Sequence, residues 1–399
     1  MKRTVIRLGP LSKSLGGLAV LFLSLTLLFS CSAEDGEKLV AIGDVATDEI
    51  EFSIVDDIPT RGRYEAAAQV EKYAVFSFYN ETKKSHVQNC VMTKQENGTW
   101  KKSKIMNFPG KQALDFYALK PSFTDADSYT MTKDEKSFVY TMQNMNAKQQ
   151  DFMFSSFLNK TRESTNNQVQ FKMKHLFSYL RFVSKLTNED IEVEIHSITL
   201  HNLLSKGKFT YNRDKERAGD WEIFTTDYDD FTFVLPKDSV LTYDKQISLH
   251  TGDSLLFVMP QKPAELWDPS VTPKTSDADA AHQAYMEVQC RIWRKRSDAD
   301  ILANVPPAPE AYIDCTASTW TKVYYPLKTG TAWTSKVTPY SGSYNVLITF
   351  TGGYTEDGDD FLKSKSGETL EMSSDEPVQS FIVTEPWTDD DAGSVSFDM

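Results

Sequence analysis

Cysteine is scarce, four in 399 residues, and the four are scattered: Cys31, Cys90, Cys290 and Cys315. None falls in a C-x-x-C pair, which argues against a cysteine zinc site. Cys290 and Cys315 are close enough in sequence to bridge in an oxidising compartment, but spacing alone does not bring two Cα atoms within about 7 Å. The expectation is at most one bonded pair, with the remaining thiols acting as small buried hydrophobes. A basic stripe is also missing. The chain has 43 Lys and Arg against 56 Asp and Glu, a net charge of -13 and a pI near 5.1, which argues against a nucleic-acid partner.

Catalytic signatures are absent as well. There is no H-E-x-x-H, no G-x-S-x-G and no phosphate-binding glycine loop; Gly352-Gly353 lacks the helix and third glycine such a loop needs. His196 and His201 flank a strand-like stretch five residues apart, a spacing that puts them on opposite faces of a regular strand and forbids a shared metal. His175 is expected simply to pack at a strand start. The acidic runs Glu356–Asp360 and Asp389–Asp391 do not fit the calcium-loop spacing and read as solvated loops. Carboxylates are abundant, yet nothing marks one pair for glycoside hydrolysis. No catalytic, cofactor-binding or metal residue is expected.

Long apolar runs are missing too, with one exception. Lys2, Arg3, Arg7 and Lys13 precede an apolar stretch from Leu18 to Phe29, shorter than the ~20 residues of a bilayer span. It ends at Leu28-Phe29-Ser30-Cys31. A leucine three residues before the cysteine and a small serine just before it suit a signal peptidase that frees a lipid-carrying thiol. The pattern predicts a lipoprotein signal peptide over 1–30, lipidation at Cys31 and anchoring to the outer membrane, rather than an ordinary signal peptide with an incidental cysteine. The polar, acidic Ser32-Ala33-Glu34-Asp35 that follows resembles the surface-export signal of Bacteroidetes-type lipoproteins. Residues 31–44 then read as a tether.

What the chain does have is aromatic residues, 12%, and alternation. Glu49-Ile50-Glu51-Phe52-Ser53-Ile54 alternates strictly, as a half-buried strand does. A turn-rich stretch with Arg61 and Arg63 follows it. Tyr73–Tyr79, Leu114–Leu119 closed by Pro121, Ser137–Met142 and Phe152–Phe154 read as further strands, and Asn97-Gly98 as a hairpin turn. Arg162–Asn167 is polar and marks an expected junction between a domain over 45–165 and one over 166–399. Beyond it come Val169–Met173, His175–Phe182, Ile191–Leu200, Phe231–Leu235, Leu255–Gln261, Tyr285–Trp293, Thr321–Leu327, Tyr344–Phe350 and Val378–Val383. The strands at 231 and 255 are expected to end at Pro236 and Pro260, and Trp267–His282 to be an exposed loop. Short strands separated by turns, with little helical periodicity, predict an all-β sandwich architecture.

The ordered set Ile50-x-Phe52, Thr60-Arg61, Trp100, Ala113–Ala118 with Pro121, Phe171-x-x-x-His175-Leu176 with Leu180-Arg181-Phe182, Val258–Gln261, Tyr325-Pro326-Leu327 with Trp333, and Val383–Trp387 resembles the Bacteroidales fimbrillin family. It departs from that pattern in Pro339 and Ser341-Gly342, inserted before the penultimate strand, and in Gly62 where a small alanine is more usual. The resemblance implies two tandem transthyretin-like β-sandwich domains after the lipoprotein signal peptide. It implies a structural subunit of a surface fimbria or pilus, serving adhesion or biofilm formation as shaft, tip or anchor. It also implies removal of the first strand by cleavage at Arg61 or Arg63, and replacement by a strand of the next subunit. The implied partners are other fimbrial subunits and a host or bacterial surface receptor. The competing expectation is a monomeric, lipid-anchored glycan-binding protein of a nutrient-uptake system, with an exposed aromatic platform.

Overall fold

The computed structural model describes residues 49–56, 69–122, 129–131, 136–210, 219–250, 254–314, 320–327, 331, 333, 343–350, 352–365 and 382–386. The chain divides into two units, 1–47 and 48–399, and everything described belongs to the second. In chain order the strands are β1 (Glu51–Asp56), β2 (Lys72–Tyr79), β3 (Ser85–Lys94), β4 (Trp100–Lys102), β5 (Leu114–Lys120), β6 (Tyr129–Met131) and β7 (Lys136–Thr141). They continue as β8 (Met153–Lys160), β9 (Gln168–His175), β10 (Ser178–Leu186), β11 (Ile191–Leu204), β12 (Lys206–Thr210), β13 (Asp220–Ile223) and β14 (Tyr228–Leu241). The last are β15 (Gln246–Ser248), β16 (Leu256–Val258), β17 (Tyr285–Arg294), β18 (Thr321–Pro326), β19 (Ser343–Phe350) and β20 (Ile382–Pro386). Helices are short among the described residues, and none is long and apolar enough to cross a membrane. The architecture is all-β.

Four sheets result. The first runs β1-β9-β8-β5-β2-β3-β4. Its β8 and β9 pair only at Met153–His175 and Phe154–Lys174, so β9 and β1 peel away and fold across the rest as a second layer. Ring contacts prove the layering. Phe52 of β1 meets Phe116 of β5 edge-on at 5.8 Å, and Phe171 of β9 meets Tyr73 of β2 at 6.5 Å, although neither pair belongs to neighbouring strands. Between the layers lies a self-contained core that includes Ile50, Val75, Met92, Phe116, Val169 and Met173. Alternation explains it: Ile50 and Phe52 point in, while Glu51 is exposed.

The second core is larger. Sheet β15-β10-β19-β20 packs against sheet β14-β11-β17-β18, with Phe182 on Phe233 at 5.3 Å and Tyr325 on Phe350 at 5.9 Å. The fourth sheet, β13-β12-β7-β6, covers the outer face of β8 through Phe138, Phe209 and Trp221. β9 begins just past the expected junction and completes the first sheet, while β7 from before the junction pairs with β12 from after it. The polar stretch 162–167 itself is a one-turn helix. Thr161 and Ser164 form a capping box at its start, and Asn166 ends it in the left-handed conformation.

Two local expectations change and a third gains detail. β14 runs through Pro236 instead of stopping there. It is an edge strand, and Pro236 falls in an unpaired bulge between Val234 and Ser239, where no ladder N–H is needed. The apolar run 175–182 is not one strand but a corner, β9 ending at His175 and β10 starting at Ser178. Trp267–His282 is exposed along most of its length, as expected, but it carries a short helix at Thr275–Ala280 and is anchored by buried Trp267, Thr275 and Ala278. Trp267 is 1% exposed, its Nε1–H donates to Thr272 O, and it joins Ala278, Tyr285 and Tyr324 in a small third core.

Candidate functional site: the seat of the first strand

The sequence points to β1, and the structure shows how it is held. β1 lies at one end of its sheet and pairs in parallel with β9, from Glu51 opposite Gln168 to Asp56 opposite Met173. Glu51 N–H donates to Asn167 O at 2.8 Å. The other edge of the strand's N-terminal end meets the segment after β4: Ile50 N–H donates to Met106 O at 2.9 Å, and Glu49 bridges Asn107. Ile50 and Phe52 plug the core between the layers; Phe52 stacks on Phe171 at 6.0 Å. Beneath them Tyr73 packs edge-on against Trp100 at 4.7 Å. The Tyr73 hydroxyl is buried and has no hydrogen-bond partner among the described residues; burial, with Cys90 beside it, pushes its pKa well up.

Lys102, at the end of β4, reaches β1 with all of its ammonium. Nζ donates to Ile50 O at 2.8 Å and to Glu51 Oε1 at 3.2 Å, and pairs with Glu49 Oε1 at 2.8 Å. A groove of about 310 Å³ runs here between the two glutamates and residues 100–105. Sequence reading missed Lys102, whose partners lie some fifty residues away. The available signal was Lys101-Lys102-Ser103-Lys104, a basic cluster in an acidic chain. Of the other expected site residues, Cys31, Arg61 and Arg63 lie outside the described residues, as does Cys315. Cys90 and Cys290 are buried free thiols, and burial pushes the Cys290 thiol well up.

The remaining polar clusters are structural in geometry. The Ser77 hydroxyl lies 2.9 Å from His86 Nδ1 but accepts the Val87 N–H, closing a bulge in the β2–β3 ladder; burial holds His86 below its usual pKa. Asp151 takes a hydrogen bond from Tyr179 and pairs with His175 at 2.7 Å, pinning the β9–β10 corner. His196 and His201 do not lie on opposite faces. A bulge between Ile195 and Ser197 inserts one residue into β11 and turns both rings away from the core. They still share no ligand, since His196 pairs with Asp238, and His201 with Asp230 at 3.0 Å and Glu287 at 3.5 Å. Burial by itself would lower the His201 pKa; the two carboxylates outweigh it and raise it to about 9. Among the described residues no group of three or more potential ligands is placed to hold a metal ion.

Similarity to known proteins agrees with the architecture. No curated protein matches the chain. A fimbrial protein from Bacteroides vulgatus shares the fold at a TM-score of 0.50 and 12% identity, over 76% of this chain and 95% of that one. Putative cell adhesion proteins from Bacteroides uniformis and Bacteroides ovatus align at TM-scores of 0.39 and 0.38, each at 12% identity over 75% of this chain and over 93% and 91% of theirs. The family model described as fimbrillin-like matches residues 60–287, more than half of the chain, and the chain therefore belongs to the fimbrillin-like family.

Proposed function

We propose that the protein is a subunit of a surface fimbria that polymerises by strand replacement, with β1 as the strand that leaves. The observation that carries this reading is the seat itself. β1 is a terminal strand whose Phe52, with Ile50 just before it, fills an apolar core otherwise built by other strands, and its departure would leave six residues of β9 without ladder partners and an apolar groove without Ile50 and Phe52. An incoming strand satisfies both deficits, and head-to-tail repetition of that contact builds a filament. Lipidation at Cys31, surface display on the outer membrane and cleavage at Arg61 or Arg63 complete the scheme, in which the lipid holds the subunit until the strand is cut. A division into two tandem sandwich domains, with β9 contributed to the first from past residue 165, draws support from the core between the layers, which is built only from residues 50–173; the larger core joins Phe76, Tyr117 and Phe154 to the later strands and so forms the contact across that division. The role is structural or adhesive rather than enzymatic, in keeping with the family.

The rival, a monomeric glycan binder, wants exposed aromatic side chains. Among the described residues the exposed large hydrophobics include Tyr243 but no tryptophan. The test is N-terminal sequencing and electron microscopy of surface-sheared material. The expected result is filaments containing chains that begin after Arg61 or Arg63. A mature N-terminus that is always lipidated Cys31, on a protein that stays monomeric, overturns the proposal.

A further inference from the structure

We propose that Lys102 selects the strand that fills this seat, and that the seat fits an extended peptide carrying two carboxylates two residues apart around its first apolar position. The inference rests on the strand-replacement reading above and adds what that reading leaves open, namely which strand is accepted and in which register.

An ammonium has three N–H donors. Lys102 directs them at three acceptors, Glu49 Oε1, Ile50 O and Glu51 Oε1, and all three belong to the start of the first strand and the two residues leading into it. Its side chain is 11% exposed, so little water reaches it to replace them. A strand that leaves strips Lys102 of this whole shell, and a strand that enters without carboxylates leaves a nearly buried cation short of acceptors, which is costly. The apolar groove alone is a poor judge, because the same alternation of apolar residues recurs in other strands, Val169-Phe171-Met173 of β9 and Ile191-Val193-Ile195 of β11 among them. Charge supplies the missing discrimination. It also sets register. A slip of one residue turns both carboxylates to the wrong face, and a slip of two leaves one of them out of reach. The neighbouring Lys101 and Lys104 make this rim basic on a chain of net charge -13, so a strand from a second acidic copy meets complementary charge.

The experiment uses the full chain with a site-specific protease sequence placed within 57–68. After cutting, the retained strand is challenged with fluorescent peptides spanning residues 46–57, and binding is followed by anisotropy. The native peptide is expected to exchange in. The Glu49→Gln/Glu51→Gln peptide should bind about tenfold more weakly to the wild-type seat. That penalty should vanish on Lys102→Met protein, and a Glu49→Lys/Glu51→Lys peptide should regain binding on Lys102→Glu protein, a rescue that a purely structural lysine would not give. Equal binding of native and glutamine peptides to the wild-type seat overturns selection by Lys102 while leaving strand replacement standing. Failure of even the native peptide to exchange overturns strand replacement, and the selection with it.

Discussion

β1 and the first half of β11 are written in nearly the same letters. Glu49-Ile50-Glu51-Phe52 and Glu192-Val193-Glu194-Ile195 both alternate a carboxylate with an apolar residue, and both turn the apolar residues inward. Their circumstances differ. β11 is flanked by β14 and β17 along its length. Its Glu192 is almost fully buried and is gripped by Arg296 through Nε at 2.8 Å and Nη2 at 3.2 Å, and by Trp293 Nε1–H at 2.8 Å. β1 has one ladder neighbour, and its glutamates face half-open water around Lys102. A strand pattern therefore states which face is buried but not whether the strand is removable. Removability comes from the number of paired edges and from whether the polar face is sealed.

The contrast can be broken by substitution. Glu192→Ala should cost the most, about 4 kcal/mol of global stability, because it leaves the partly buried Arg296 guanidinium and the buried Trp293 N–H without their carboxylate. Urea unfolding measures it, and a loss under 1 kcal/mol would show that β11 is no better fastened than β1. Phe52→Ala should cost about 3 kcal/mol by emptying the space against Phe116 and Phe171. Hydrogen exchange should show that loss concentrated in β1 and β9, with β11 and β17 still protected.

A pH series sharpens the comparison within β11. The folded pKa of His201, about 9, lies above the ordinary value near 6.5. Its contribution is therefore complete below about pH 6.5 and is lost as pH rises through about 9. The stability gap between wild type and His201→Gln should shrink from pH 6 to pH 10; a constant gap would mean that the ring packs on Tyr285 without carrying charge. The smallest effect belongs to Lys102→Met, about 1 kcal/mol in thermal unfolding, since Glu49 and Glu51 stay partly solvated.

Strands were legible where the sequence carries a continuous or an alternating apolar run, including β2 and β5, which are buried on both faces. Tyr73–Tyr79, Leu114–Leu119 and Tyr344–Phe350 fall on β2, β5 and β19 within a residue or two. Deviations from regular strand geometry were not. The bulge that puts His196 and His201 on one face leaves no mark in composition, and Pro236 is tolerated only because β14 is an edge, which is a property of the whole sheet. Strand β3 went unread because its partly exposed residues blur the alternation, whereas β12 and β13 alternate over only five and four residues, with Gly207 at one buried position of β12. At the site, Ile50 and Phe52 were read as strand positions, while the basic run after Trp100 stood in the sequence unread. Their meeting was not legible, because the chain needs two sheet layers to bring residue 102 back to residue 50.

The parallel pairing of β1 with β9 has a consequence for biosynthesis. The partner of Glu51 is Gln168, more than a hundred residues downstream. At about 5–20 residues per second, the ribosome delivers the first strand roughly ten seconds before the strand that will hold it. Through that interval the seat does not exist, and the apolar edge of Ile50, Phe52 and Ile54 has no native ladder to join. The first strand of the fold is thus made long before its seat and must wait for it.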